Sequence, residues 1–155
     1  MDNIRYKWFK RKYKNLNRGN VKPFHFVDVI KYCKVVDIID GQTVVIIMDF
    51  KNKTYKWHLR LDGYKTYVIK DISKVNNKKH KNIISNSAYK SSSFLSMLIE
   101  EEPNKIFKVH LKGYTNNGIL LGDLYYNNNP CSLNQLMIKS GYGVAYNIIP
   151  SYLNN

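Results

Sequence analysis

The sequence predicts a mainly β, α+β domain: a five-stranded Greek-key barrel with two packed helices and a basic N-terminal extension. Three observations predict it. Runs rich in β-branched and aromatic residues recur five times, and the short links between them carry turn residues. A segment of helical period separates the third run from the fourth, and a second one follows the fifth. Hydrophobic residues make up 44% of the 155, enough to fill one core, while no stretch approaches the roughly 20 consecutive apolar residues that span a bilayer.

Residues 1–22 form the extension. Eight basic residues stand there against Asp2 alone, and Tyr6, Phe9, Tyr13 and Leu16 fall on one stripe of a helix. Such a helix packs that stripe on the domain, serves as an arm clamping phosphates with Lys10, Arg11, Lys12 and Lys14, or does both. The domain itself is expected over 23–149, with 150–155 as a short tail. FHFVDVIKYCKVVDIID reads as a long first strand, Asp40-Gly41 as a tight turn, and TVVIIMDF as the second strand. Lys51-Asn52-Lys53 turns into TYKWHLRLDGY, whose alternation marks a third strand; a meander of this kind curls under native twist.

Residues 70–87 are polar and basic and read as a loop carrying Lys74, Lys78, Lys79 and Lys81. AYKSSSFLSMLIEEE then places Tyr89, Phe94, Leu95, Leu98 and Ile99 on one helix face, ending before Pro103. Being serine-rich, that helix depends on packing rather than propensity. IFKVHLKGY and ILLGDLYY are the fourth and fifth strands around the turn TNNG, and a final short helix runs from Ser132 as N-cap to Gly141 at its end. Three strands, a helix, two strands and a helix match the OB barrel.

The charge balance bounds function. Lys and Arg number 25 against 11 acidic residues, giving a net charge of +14, which attracts polyanions, nucleic acid above all. The excess is carried by lysine, and the chain is also rich in Asn, Ile and Tyr, all residues with AT-rich codons, so base composition accounts for part of it. Cys33 and Cys131 are far apart, with no CxxC and no neighbouring His, which excludes a zinc ribbon or a disulfide scaffold and fits a reducing compartment. MDNIRYKWFKRKYK has charge but no apolar run behind it, so the expected location is intracellular (cytoplasm, nucleus or virion), without a secretory signal or a membrane partner.

Four segments together resemble the staphylococcal nuclease family of thermonuclease-like domains. VVDIIDGQTVVI is similar to that family's V-x-D-G-D-T-V turn, and HLRLDGYKT sits where it shows R-L-x-G-I-D-T-P-E. NNGILLGDLYY is similar to its Y-G-R-x-L-G-x-V-Y hairpin, and LNQLMIKSGYGVAY to its V-N-x-x-L-V-x-x-G-Y-A-x-V-Y helix and tail. The motifs keep their order over residues 26–148. The resemblance implies phosphodiester cleavage with calcium, held by two aspartates and a backbone carbonyl, beside a glutamate and two arginines. Carried over position by position, the first aspartate falls on Gln42, the second on Lys65, the glutamate on Val68 and the second arginine on Ile119, while the lysine and tyrosine that contact phosphate fall on Asn116 and Asn117. Arg60, Asp40, the carbonyl of Thr66 and the aromatic at Tyr146 remain.

Calcium wants about 6–8 oxygen ligands, with carboxylates supplying most of the affinity. An ammonium in place of one of them repels a unit positive charge 4 Å away by roughly 4 kcal/mol at an effective dielectric near 20. The expectation is therefore a degenerate site with no metal and no other cofactor, unable to activate water. A relocated metal site using Asp40 and Asp62 is the alternative that would keep cleavage. The leading expectation is a non-catalytic domain that binds DNA or RNA through Arg60, Lys65, Lys74, Lys78, Lys79, Lys81 and the N-terminal arm, with Tyr146 stacking on a base. A protein-interaction or self-associating module, using Asn127 to Asn129 and the Tyr-rich strands, is the other class.

Overall fold

A computed structural model of the protein describes residues 2–16, 26–67, 77–127 and 129–146. In chain order the elements are α1 (Asp2–Tyr13), β1 (Val29–Ile38), β2 (Thr43–Phe50), β3 (Lys53–Leu61), β4 (Tyr64–Lys65), α2 (Lys78–Glu100), a short 3-10 turn (Pro103–Lys105), β5 (Ile106–Tyr114), β6 (Leu120–Tyr125), α3 (Leu133–Lys139) and β7 (Val144–Ala145). Five strands close into a barrel in the order β1-β2-β3-β6-β5, and β4 pairs with β7 in a separate two-stranded sheet. All barrel pairings are antiparallel except β3 with β6, which run parallel. Closing the ring 1-2-3-6-5 with one parallel seam gives the OB-fold arrangement.

Alternation builds the barrel wall. Val44, Ile46 and Met48 of β2, Leu59 and Leu61 of β3, and Phe107, Val109 and Leu111 of β5 alternate along their strands and are buried, while their sequence neighbours are exposed or half-buried except Val45, which is covered as well. Register breaks at Val35/Asp37 in β1 and at Leu111/Gly113 in β5 are bulges, which bend strands enough to close a ring. At Gly122 a Cβ would stand 2.5 Å from the His110 carbonyl oxygen, so β6 meets β5 closely only because this residue is glycine. The β2–β3 turn places Lys51 and Asn52 at φ 49° and 61°, the primed geometry that a two-residue hairpin demands.

Two helices close the barrel, one on each side of the β5–β6 hairpin in sequence. From α2, Leu95, Leu98 and Ile99 enter the core; from α3, Leu133 and Met137 do. Ser132 caps α3 in a reciprocal capping box with Gln135, and Gly141 follows its end at φ 75°.

The structure corrects three expectations. Residues 78–87 are not loop: α2 begins at Lys78 on an N-cap from Asn77, whose side chain accepts from the Lys79 N–H, and runs for 23 residues. Its packed stripe is Ala88, Ser91, Leu95, Leu98 and Ile99. Tyr89 is off that stripe and 75% exposed, because small residues rather than the ring set the phase. Gly41 of the β1–β2 turn sits so close to α2 that a Cβ there would lie 2.6 Å from Ser91 Cβ. In the extension the helix forms, but Tyr6, Tyr13 and Leu16 are exposed, as is every other described side chain of residues 4–16, so among the described side chains none of the stripe is buried on the domain. Among the described residues no helix is long and apolar enough to cross a membrane.

Candidate nucleic-acid interface

The β1–β2 turn is built by its own aspartate. Asp40 Oδ1 accepts from the Gln42 backbone N–H at 2.8 Å, while the Ile39 N–H donates to Thr43 O at 2.9 Å. This turn drives the Gln42 side chain inward, to 2% exposure. There its amide nitrogen donates to Leu61 O at 3.3 Å, to Tyr64 O and to the Tyr146 hydroxyl at 3.1 Å, and its oxygen accepts from Arg60 Nη2 at 3.1 Å. One neutral side chain thus ties the β1–β2 turn, the β3–β4 segment, Arg60 and Tyr146 together.

Two more contacts fix the mouth of this cluster. Tyr64, wholly buried, donates its hydroxyl to Gly41 O at 2.9 Å. Burial pushes its pKa far up, and the charge of Asp40 and then Tyr146 push the same way. The β4–β7 pairing sets Lys65 against Val144, and Tyr146 donates its N–H to Gly63 O at 3.3 Å. Lys65 is exposed, and its Nζ lies 5.9 Å from the centroid of the Tyr146 ring. Arg60 Nε and Thr66 Oγ1 are buried without a hydrogen-bond partner.

Of the residues expected at the site, Gln42, Arg60, Lys65 and Tyr146 are brought together. Ile119 is half-buried in the β5–β6 turn, where its N–H reaches Thr115 Oγ1 at 3.2 Å, and Asn116 and Asn117 are exposed at the tip. Lys78 and Lys79 are exposed and Lys81 half-buried in the first turn of α2, while Lys10, Arg11, Lys12 and Lys14 are exposed in or just past the last turn of α1. Val68 and Lys74 lie outside the described residues. Asp62 is committed elsewhere: Lys112 Nζ stands 3.4 Å from its carboxylate and 2.9 Å from that of Asp123. Burial alone would lower the Lys112 pKa, but the hydrogen bond and charge of Asp123, with Asp62 adding to both, turn it upward. Among the described residues no group of three or more His, Cys, Asp or Glu side chains could hold a metal ion.

Sequence reading missed Tyr64 and Asn134. Asn134, 3% exposed, donates to Asp62 O at 2.8 Å, Gly122 O at 3.1 Å and Asp123 Oδ1 at 2.9 Å. The signal for Tyr64 was the break in strand alternation at Asp62-Gly63. For Asn134 it was a polar residue on the apolar side of a short helix. No protein-family model matches the chain, and no curated protein matches it.

Chemically, the cluster presents cations around a neutral centre. The one carboxylate touching it among the described residues, Asp40, is occupied by its own turn. An amide brings no negative charge to a divalent ion, and the guanidinium that donates to its oxygen at 3.1 Å would repel one there. Arg60 and Lys65 suit an anion, and a half-buried tyrosine ring stands beside them.

Proposed function

We propose that this protein is a non-catalytic, staphylococcal nuclease-like OB domain that binds nucleic acid through a basic surface, largely without sequence specificity. The observation that carries the reading is the Gln42 crosspiece. It stands where the resemblance puts a calcium-binding aspartate, yet it is buried, uncharged and hydrogen-bonded to Arg60. Lys65, at the second aspartate's place, adds a positive charge beside it. A site of this charge holds a phosphate and repels a metal ion.

The rest of the surface supports the same reading. Lys78, Lys79 and Lys81 crowd the first turn of α2, where the helix dipole already favours anions and no acidic residue is present. Lys10, Arg11 and Lys12 end α1 beside exposed Tyr6, Trp8 and Tyr13. The test is oligonucleotide binding across a salt series. If about six phosphates are neutralised, log K falls with log salt at a slope of about −4 to −5 for single strands. Binding that ignores salt, or none at low salt, removes the reading. Cleavage of plasmid or oligonucleotide with Ca²⁺, Mg²⁺ or Mn²⁺, abolished by Arg60→Ala, replaces it with the nuclease alternative, and a protein complex that survives nuclease treatment while oligonucleotides fail to bind replaces it with the interaction module.

A further inference from the structure

The outer face of β1, β5 and β6 carries a second feature, away from the Gln42 cluster. Register sets Tyr32 of β1 opposite Lys108 of β5, and Lys108 opposite Tyr125 of β6. The next row along sets Ile106 beside Lys34, which in turn faces Ile47 of β2, and Ile47 faces Lys56 of β3. Lysines and rings or aliphatic side chains therefore alternate like a checkerboard across the barrel exterior. Tyr32 is 62% exposed and Ile106 46%.

The rings are held in place. Tyr32 reaches over β5 to donate its hydroxyl to Asn127 Oδ1 at 3.1 Å. Lys108 Nζ lies 5.3 Å from the Tyr125 centroid. Of the carboxylates on this side of the barrel, Asp123 is engaged by Lys112 at 2.9 Å and Asp28 by His110 at 3.3 Å, while Asp37 accepts from the Ile38 N–H at 2.8 Å and Asp49 from the Thr54 hydroxyl at 2.6 Å. Lys34, Lys56 and Lys108 meet no carboxylate among the described residues. Two inter-strand spacings, roughly 9.5 Å, separate the backbones that carry Tyr32 and Tyr125.

We infer that this face is a stacking platform for single-stranded nucleic acid, with Tyr32 as the ring on which a base stacks and Lys34, Lys56 and Lys108 as phosphate contacts. The inference rests on the nucleic-acid reading above and adds to it a strand preference and a second surface. An exposed aromatic ring flanked by unpaired lysines matches a strand whose bases are free to unstack, and a preset ring orientation lowers the entropy cost of binding. Bases in a duplex offer no open face to such a ring, so single strands are preferred over duplex of equal length.

The experiment compares wild type, Tyr32→Ala, Tyr32→Phe and Arg60→Ala by fluorescence anisotropy on a dye-labelled oligothymidylate and on its duplex. Tyr32→Ala is expected to weaken single-strand binding roughly 5- to 150-fold, the range for one lost base stack, with duplex binding and the salt slope unchanged. Tyr32→Phe keeps the ring and retains most of the affinity, which separates stacking from misfolding. Lys34→Ala and Lys108→Ala each lower the single-strand salt slope by about 0.7. A strand carrying 5-iodouridine crosslinks to Tyr32 under near-ultraviolet light. If wild type binds with the expected salt dependence while Tyr32→Ala binds equally well and no crosslink maps to β1, the platform is refuted and the general reading stands. If wild type binds no strand at low salt, both fall. If Tyr32→Ala instead breaks a nuclease-resistant protein complex and leaves oligonucleotide affinity intact, the face belongs to a protein partner and the inference is overturned.

Discussion

Two buried amides, from different elements, grip the same few residues at the end of β3. Gln42 reaches Leu61 O and Tyr64 O from the β1–β2 turn, and Asn134 reaches Asp62 O from α3. Their remaining bonds diverge. Asn134 spends them on the frame: Gly122 O, the Leu124 N–H, and the Asp123 carboxylate that Lys112 already neutralises. Gln42 spends them on Arg60 and Tyr146, side chains at the mouth of the site. The difference teaches that one chemical group serves two ends. Inside the frame an amide satisfies buried backbone that nothing else can reach; at the mouth it sets the charge and orientation of groups that a ligand would meet.

The comparison predicts unequal costs. Asn134→Ala removes bonds to two carbonyls, an N–H and a carboxylate, most of them buried, and should lower stability by about 2–4 kcal/mol. Gln42→Ala should cost less, about 1–2 kcal/mol, since half-buried Arg60 and Tyr146 can turn to water. Urea unfolding of both variants measures the gap. Equal costs would mean that Gln42 is frame as well, and that its place near Arg60 carries no functional weight.

A second substitution series sharpens the contrast by restoring charge. Gln42→Asp combined with Lys65→Asp places two carboxylates beside Thr66, at the positions where the resemblance puts a calcium ion. Without metal the double variant should be less stable by about 1–3 kcal/mol, because a buried carboxylate replaces an amide that donated to two carbonyl oxygens. With calcium its melting temperature should rise, by an amount equivalent to about 2.7 kcal/mol at a hundredfold excess over Kd. Asn134→Asp loses the same kind of donor but gains no such response. A double variant indifferent to calcium would show that this pocket is not a converted metal site, and would remove the main support for the resemblance.

The elements were legible in the sequence wherever the information is local. The bounds of β2 and β5 follow from runs rich in β-branched and aromatic residues and from turn residues such as Asn52, and the start of α3 follows from Ser132. The first half of α2 was not legible. Lys78 to Ser87 is polar, and its helix is held by an asparagine cap and by the fit of Ser91 against Gly41, a contact between residues fifty positions apart. The site divides in the same way. Gln42, Arg60, Lys65 and Tyr146 could be nominated singly, and the fold joins them. That Asp62 turns to Lys112, or that Tyr64 donates to Gly41, depends on how the strands register around the barrel, which no local pattern encodes.

The smallest effect separates the two sides by pH. Burial pushes the Cys33 thiol from its ordinary 9.0 up to about 12. Tyr64, on the Gln42 side, is raised by burial and then by Asp40 and Tyr146, and Tyr126 by burial and then by Glu101. In each case the folded chain keeps a proton that the unfolded chain has lost, so stability falls as pH rises past the ordinary value. Lys112, on the Asn134 side, also has a raised pKa, so its contribution is complete below its ordinary value of 10.5 and disappears above the raised one; being well exposed, it contributes little. Stability should therefore hold through neutral pH, begin to drop near pH 9 with Cys33, and drop further as the tyrosines are reached. Cys33→Val should remove the first part of that fall and leave the second, because it deletes the thiol while keeping an apolar side chain in β1. Lys112→Met should lower stability slightly at neutral pH and barely move the alkaline limb. Urea midpoints measured against pH check both, and an alkaline limb governed by Lys112 instead would place the weaker seam of the barrel on the Asn134 side.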